Sequence, residues 1–115
     1  MTVQEIAIQT AGRIVVGAHR KEEKIDCAFA SDLMSDVLTI NSSQTIMLIT
    51  GLCNMQTIRT CEMSNIEIIL FVRGKKVTEE MKELADENNM VLIENALSMY
   101  RTSGILFNLN LHPIY

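Results

Sequence analysis

Three apolar runs constrain this chain more than any other feature. They are TIMLIT at 45–50, IEIILFV at 66–72 and MVLIE at 90–94. TIMLIT is nearly continuous, as expected of a strand buried on both faces, and the other two read as strands of the same sheet. Helical spacing fills the gaps between them. A helix over 55–63 places Met55, Ile58 and Cys61 inward, after a turn at 51–54. Thr78 is the N-cap of the next, with Glu79 and Glu80 in the first turn, where the macrodipole favours acids. Met81, Leu84 and Ala85 face inward, and Asn88-Asn89 ends it. Ser98 caps a last helix running to about Asn108, with Ile105, Leu106 and Leu109 on one stripe. FNLNL at 107–111 also alternates like a strand, and periodicity leaves both readings open. Strand and helix alternate three times with short connections. That order predicts an α/β fold, one domain over 1–115, with a mostly parallel central sheet flanked by helices.

The first forty residues add weaker elements. Thr2-x-x-Glu5 fits a capping box for a short helix over about 3–10, ending near Gly12. RIVVGA at 13–18 and IDCAFA at 25–30 read as strands, joined by the solvated stretch HRKEEK. Ser31 or Asp32 is the expected N-cap of a helix carrying Leu33, Val37 and Ile40 inward, with Met34 and Leu38 widening the stripe.

Composition narrows the function classes. Ten basic against fourteen acidic residues give a net charge of −4, which argues against a nucleic-acid backbone binder. Aromatics are only 4% and tryptophan is absent, so bases would find few stacking platforms. No apolar run approaches the roughly 20 residues of a membrane span. The N-terminus lacks the apolar core of a signal peptide, so a cytoplasmic location is expected. Cys27, Cys53 and Cys61 lack CxxC spacing and read as reduced, small apolar residues. Neither His19 nor His112 shows metal-ligand spacing, so no metal or cofactor is expected.

Three stretches together resemble the DRTGG-domain family: AFASDLMSDVL at 28–38, LITGLCNMQTIRTCEMSNIEIILFVRGKKV at 48–77, and ALSMYRTSGILFNL at 96–109. The SDLMSDVL element is the most specific of them. The five letters that name the family are absent, and the corresponding loop reads TGLCNMQT. The resemblance implies a fold like that of the domain preceding the catalytic domain of HPr kinase. It also implies a small dimer, or a module of the kind fused to nucleotide-sensing CBS modules in regulated pyrophosphatases. Kinase activity does not follow. The five glycines, at 12, 17, 51, 74 and 104, form neither G-x-x-x-x-G-K-[ST] nor G-x-G-x-x-G.

Ligands of parallel sheets collect at the carboxyl ends of the strands. Here those ends carry Thr50-Gly51, Arg73-Gly74 and Glu94-Asn95. Thr50, Gly51, Asn54, Gln56 and Thr57 make a polar turn before a helix, where free N–H groups can meet a phosphate and Arg59 can add charge. The same residues also suit an ordinary connection capped by Asn54. Asp32 and Asp36, with Ser31 and Ser35 beside them, are four apart and share a helix face. They suit the edge of a cleft, a Mg²⁺-assisted phosphate site, or simple capping. Arg73, Lys75 and Lys76 suit either phosphates or a solvated turn. Cys53 beside a helix N-terminus could be a reactive thiol, but no base stands near it in the sequence.

These features point to a non-catalytic regulatory or ligand-binding domain acting as a homodimer. Its ligand would be a nucleotide or other phosphorylated metabolite, held by Ser31, Asp32, Thr50, Gly51, Asn54, Gln56, Thr57, Arg59 and Arg73. The rival reading is a protein-interaction subunit without a small ligand, its acidic segment Glu79–Glu87 facing a basic partner. A Cys- or Asp-dependent enzyme is the third. The Ile105, Leu106 and Leu109 stripe and FNLNL are the candidate dimer surface.

Overall fold

The computed structural model describes residues 1–115. Strands β1 (Arg13–Val16), β2 (Cys27–Ala30), β3 (Ile46–Thr50), β4 (Ile68–Phe71), β5 (Val91–Glu94) and β6 (His112–Pro113) form one sheet in the order β1-β5-β4-β3-β2-β6. Every pairing is parallel except β1 with β5. The helices are α1 (Val3–Gln9), α2 (Met34–Val37), α3 (Met55–Met63), α4 (Glu79–Glu87) and α5 (Met99–Asn108).

All residues of β3, β4 and β5 are buried, so each strand needs apolar cover on two sides. The alternation of side chains divides that cover. Leu48, Ile69, Phe71 and Leu92 pack with Val37 of α2, Ile58 and Cys61 of α3, and Met81 and Ala85 of α4. Met47, Ile49, Ile68, Leu70 and Ile93 pack with Val3, Ile6 and Ala7 of α1 and Leu106 of α5. Three helices thus lie on one face and two on the other.

Helix ends obey local chemistry. Thr2, Asn54, Thr78 and Ser98 each accept a backbone N–H at the N-cap. Ala11, Asn65, Asn89 and Asn110 take positive φ just past a helix. The N–H of the next residue then returns to the last turn: Gly12 to Ala7, Ile66 to Cys61, Met90 to Ala85 and Leu111 to Leu106. These are Schellman closures. Gly17 has φ +83°, and a Cβ there would stand 2.7 Å from the Met90 carbonyl oxygen. Both conformation and space therefore require glycine at the end of β1.

The sequence expectations fail in three places, and one open choice is decided. Helix α2 is a single turn capped at Leu33, which makes no side-chain cap bond, so neither Ser31 nor Asp32 is its N-cap. Leu33 and Leu38, expected inward, are exposed, because four residues present only Val37 and then Ile40 to the core. The choice left open at FNLNL goes to the helix: Phe107 and Asn108 finish α5 and Leu109 caps it. The expected dimer stripe is also split, since Leu106 is buried within its own chain while Phe107 and Tyr100 are exposed.

Substitution can check the orientation of α2. Val37→Ala should cost about 2 kcal/mol, by lost burial and the cavity left behind. Leu38→Ala should cost less than about 0.5 kcal/mol, as a surface change does. Urea unfolding that ranks the two variants the other way would show that α2 is turned differently.

Candidate functional site

Because β2 to β5 run parallel, their carboxyl ends meet along one edge of the sheet. Ser31-Asp32 follows β2, Thr50-Gly51 ends β3, Arg73-Gly74 follows β4, and Glu94-Asn95 ends β5. The antiparallel β1 adds Gly12 and Arg13 to the same edge, with Arg13 paired opposite Glu94.

Over β2 to β4 the edge is organised by Asp32. Its Oδ1 accepts from the Thr50 hydroxyl at 2.9 Å and from the Gly51 N–H at 2.7 Å. The Thr50 hydroxyl in turn accepts from the Leu52 N–H at 3.1 Å. The Gly51 N–H, a candidate phosphate donor, is thus held by the chain's own carboxylate. Asp36 is exposed and its carboxylate makes no hydrogen bond, so the two aspartates do not act as a pair. The Ser31 hydroxyl accepts from the Leu33 N–H at 3.0 Å.

Arg73 lies across from Asp32. It has φ 62° and Gly74 has φ 73°. The Lys75 N–H bonds the Val72 carbonyl at 3.4 Å, closing a turn with two left-handed central residues. The Arg73 and Gly74 N–H groups donate to the Leu97 and Asn95 carbonyls at 2.7 and 2.8 Å, tying this turn to the loop after β5. A Cβ placed on Gly51 would lie 3.9 Å from Arg73 Nε and 3.6 Å from Asp32 Oδ1. The guanidinium itself is exposed and joins no hydrogen bond or ion pair in the chain.

The start of α3 is closed on itself. Asn54 Oδ1 accepts from the Thr57 N–H at 2.9 Å, and the Thr57 hydroxyl donates to the Leu52 carbonyl at 2.7 Å. Thr57 is fully buried, so these two residues build the connection. Gln56 and Arg59 are exposed on α3; Gln56 Nε2 reaches Thr60 Oγ1 at 3.4 Å, and Arg59 has no partner. The structure therefore gathers Asp32, Thr50, Gly51 and Arg73, while Gln56 and Arg59 share no hydrogen bond or ion pair with that group.

Burial pushes the Cys53 thiol pKa up, and the negative charge of Glu94 adds to this, against a smaller downward pull from Lys75. These influences work against the reactive thiol that its position before α3 suggested. Cys61 is pushed up to about 12 by burial alone.

Sequence reasoning missed the role of Glu94. Its side chain is only 5% exposed. It accepts from the Val77 N–H at 2.7 Å and from Arg13 Nη2 at 2.9 Å, and Lys76 Nζ lies 3.7 Å away. Burial alone would raise its pKa, but the Val77 N–H bond, Arg13 and Lys76 together hold it below its ordinary value. Arg13 and Glu94 are 81 residues apart, so only the antiparallel pairing reveals them. A cleft of about 210 Å³ opens beside them, lined by Gly12, Arg13, Gly74, Lys76, Glu94 and Asn95 among others. No helix is long and apolar enough to cross a membrane.

No family profile matches the sequence, and no curated protein does. A solved structure does match in shape. It holds the CBS and DRTGG domains of the regulatory region of Clostridium perfringens pyrophosphatase, complexed with its activator, diadenosine tetraphosphate. The TM-score is 0.67 at 14% identity, over 91% of this chain and 45% of that one. The chain thus spans less than half the length of that neighbour, and the likeness is one of fold. The CBS/DRTGG-like α/β fold agrees with the expectation drawn from the three resembling stretches.

The lowered pKa of Glu94 fixes the sign of a pH effect. At low pH the unfolded chain holds the proton more readily than the folded one. The stabilisation is therefore complete above the unfolded carboxylate pKa of about 4.3 and is lost as pH falls through the lower, folded value. Glu94→Gln should cost about 1–3 kcal/mol at pH 7, since the buried charge-assisted bond from the Val77 N–H and the part-buried one from Arg13 are weakened or lost. It should also reduce the loss of stability on acidification from pH 5 to pH 2. Urea midpoints that fall with acid as steeply in the variant as in the parent would remove Glu94 from this role.

Proposed function

We propose that this chain is a cytoplasmic, non-catalytic regulatory domain that binds a nucleotide or other phosphorylated metabolite and works as a homodimer. The ligand lies over the carboxyl ends of β2, β3 and β4. The observation that carries this reading is the unpaired Arg73 guanidinium, held over Gly51 and facing Asp32 by a turn in left-handed conformation. A guanidinium is a fork of five donors suited to phosphate oxygens. Asp32 already serves Thr50 and Gly51 through Oδ1, which leaves Oδ2 to accept from a ligand hydroxyl. Ser31 lies at the rim of the same ledge. Binding would order the Arg73 turn and, through its bonds to the Asn95 and Leu97 carbonyls, the approach to α5. The regulatory region of the pyrophosphatase that shares this fold was solved with a nucleotide activator, which supports the ligand class.

One observation favours the second reading, an interaction subunit with no small ligand. Tyr100 and Phe107 are 91% and 66% exposed on α5, with Gly104 between them on the same stripe. Such a face is also where the homodimer would form.

Thermal unfolding with adenine and guanine nucleotides, dinucleoside polyphosphates and sugar phosphates tests the proposal. A ligand at about 100 times its Kd should add roughly 2.7 kcal/mol. Arg73→Asn should abolish that gain. It should leave the unliganded Tm unchanged or raise it by a degree or two, because asparagine tolerates the left-handed backbone better than arginine. No shift with any compound would reject the ligand reading. A full shift in the Arg73→Asn protein would reject the site.

A further inference from the structure

The topology divides at one point along the carboxyl edge. After β4 the chain passes to α4 on one face of the sheet, and after β5 it passes to α5 on the other. Adjacent strands whose exits diverge in this way leave a crevice between them, the usual place for ligands in open α/β sheets. Here the Arg73–Leu97 and Gly74–Asn95 backbone bonds bridge the crevice. What remains open is the cleft of about 210 Å³ beside Gly12, Arg13, Lys76, Glu94 and Asn95.

Its chemistry is specific. Arg13 and Lys76 bring two positive charges against the single negative charge of Glu94. Only Nη2 of Arg13 is engaged by Glu94, and the Arg13 and Lys76 side chains are about two-thirds exposed. Their remaining donors are free to meet an anion. Asn95 is 5% exposed; its Nδ2 donates to the Thr102 hydroxyl at 3.0 Å, and its buried Oδ1 has no partner. That oxygen has almost no accessible surface, so it lies behind the wall of the cleft and the charged groups in front of it set the chemistry. Gly12 keeps the wall of the cleft close, since a Cβ there would stand 2.8 Å from the Glu94 carbonyl oxygen.

We propose that this cleft is a second binding site, for a small metabolite whose anionic group, a phosphate or a carboxylate, sits on Arg13 and Lys76. It is separate from the Asp32–Arg73 ledge and does not depend on that site being occupied. Glu94 is its positioning residue, holding Arg13 and Lys76 together without touching the ligand's charge.

Amide chemical shifts of the full chain, titrated with glycerol 3-phosphate, glycerate and inorganic phosphate, test this site. The expected result is movement at Gly12, Arg13, Lys76 and Asn95. Glycerol 3-phosphate outbinding glycerate would assign a phosphate as the anion; the reverse would assign a carboxylate. Lys76→Gln, an exposed change that leaves the fold intact, should weaken binding at least fivefold, and Arg73→Asn should not alter it. Three results would overturn the proposal: no movement at these amides with either metabolite, affinity unchanged by Lys76→Gln, or movement confined to Gly51 and Arg73.

Discussion

Strands β3, β4 and β5 bury every residue they have, and that demand for cover on two sides shapes the molecule. A polar backbone in such a place must be fully paired, which the parallel ladders achieve. The side chains then need helices above and below. Three crossovers of one hand lay α2, α3 and α4 on one face. The other face is left to the two ends of the chain, α1 before the sheet and α5 after it. The change of face comes after β5, and so the crevice lies between β4 and β5. The position of the crevice, where the second site is proposed, is a consequence of how the core is covered.

Glu94 sits at that crevice, where a carboxylate is costly to bury unless it is fully met. Three partners meet it from three directions: the Val77 N–H from the start of α4, Arg13 from β1, and Lys76 from the loop after β4. The edge strand is thereby joined to the loops around the crevice by charge as well as by its ladder. The same arrangement leaves the edge with more positive than negative groups, although the chain as a whole is acidic.

What was legible in the sequence follows the range of the forces involved. Helices α3, α4 and α5 were readable because Asn54, Thr78 and Ser98 cap them with bonds only three residues long. The parallel core was readable because burial on both faces leaves unbroken apolar runs. Helix α2 was misread because its leucines extend a stripe that the single turn cannot use; Leu33 and Leu38 point outward instead. The site was legible in part. Thr50, Gly51, Arg73, Glu94 and Asn95 were placed by their position at strand ends, and Asn54 and Thr57 act in the cap of α3. The partnership of Glu94 with Arg13, 81 residues away, had no local signal. Their meeting depends on β1 running against the grain of the sheet, which no periodicity records.

Arg73 separates structural need from function more sharply than any other residue. Outside glycine, the chain adopts positive φ at five positions. Four of them end helices, and three of those four are asparagine, a residue that tolerates this conformation. Arg73 is the one that leaves a strand, and its neighbour Gly74 takes the same hand. An asparagine or a second glycine would serve that turn with less strain. The backbone therefore gives no reason for a long cationic side chain there, and the core gives none either, since the guanidinium is exposed and unpaired. What the position does provide is an anchored base for that cation, fixed by the bonds to Leu97 and Asn95. Opposite it stands a carboxylate whose second oxygen is free. On the proposed reading, a cation and an acceptor both beside Gly51 suit a molecule that carries a phosphate next to a hydroxyl better than a bare anion, which Asp32 would repel.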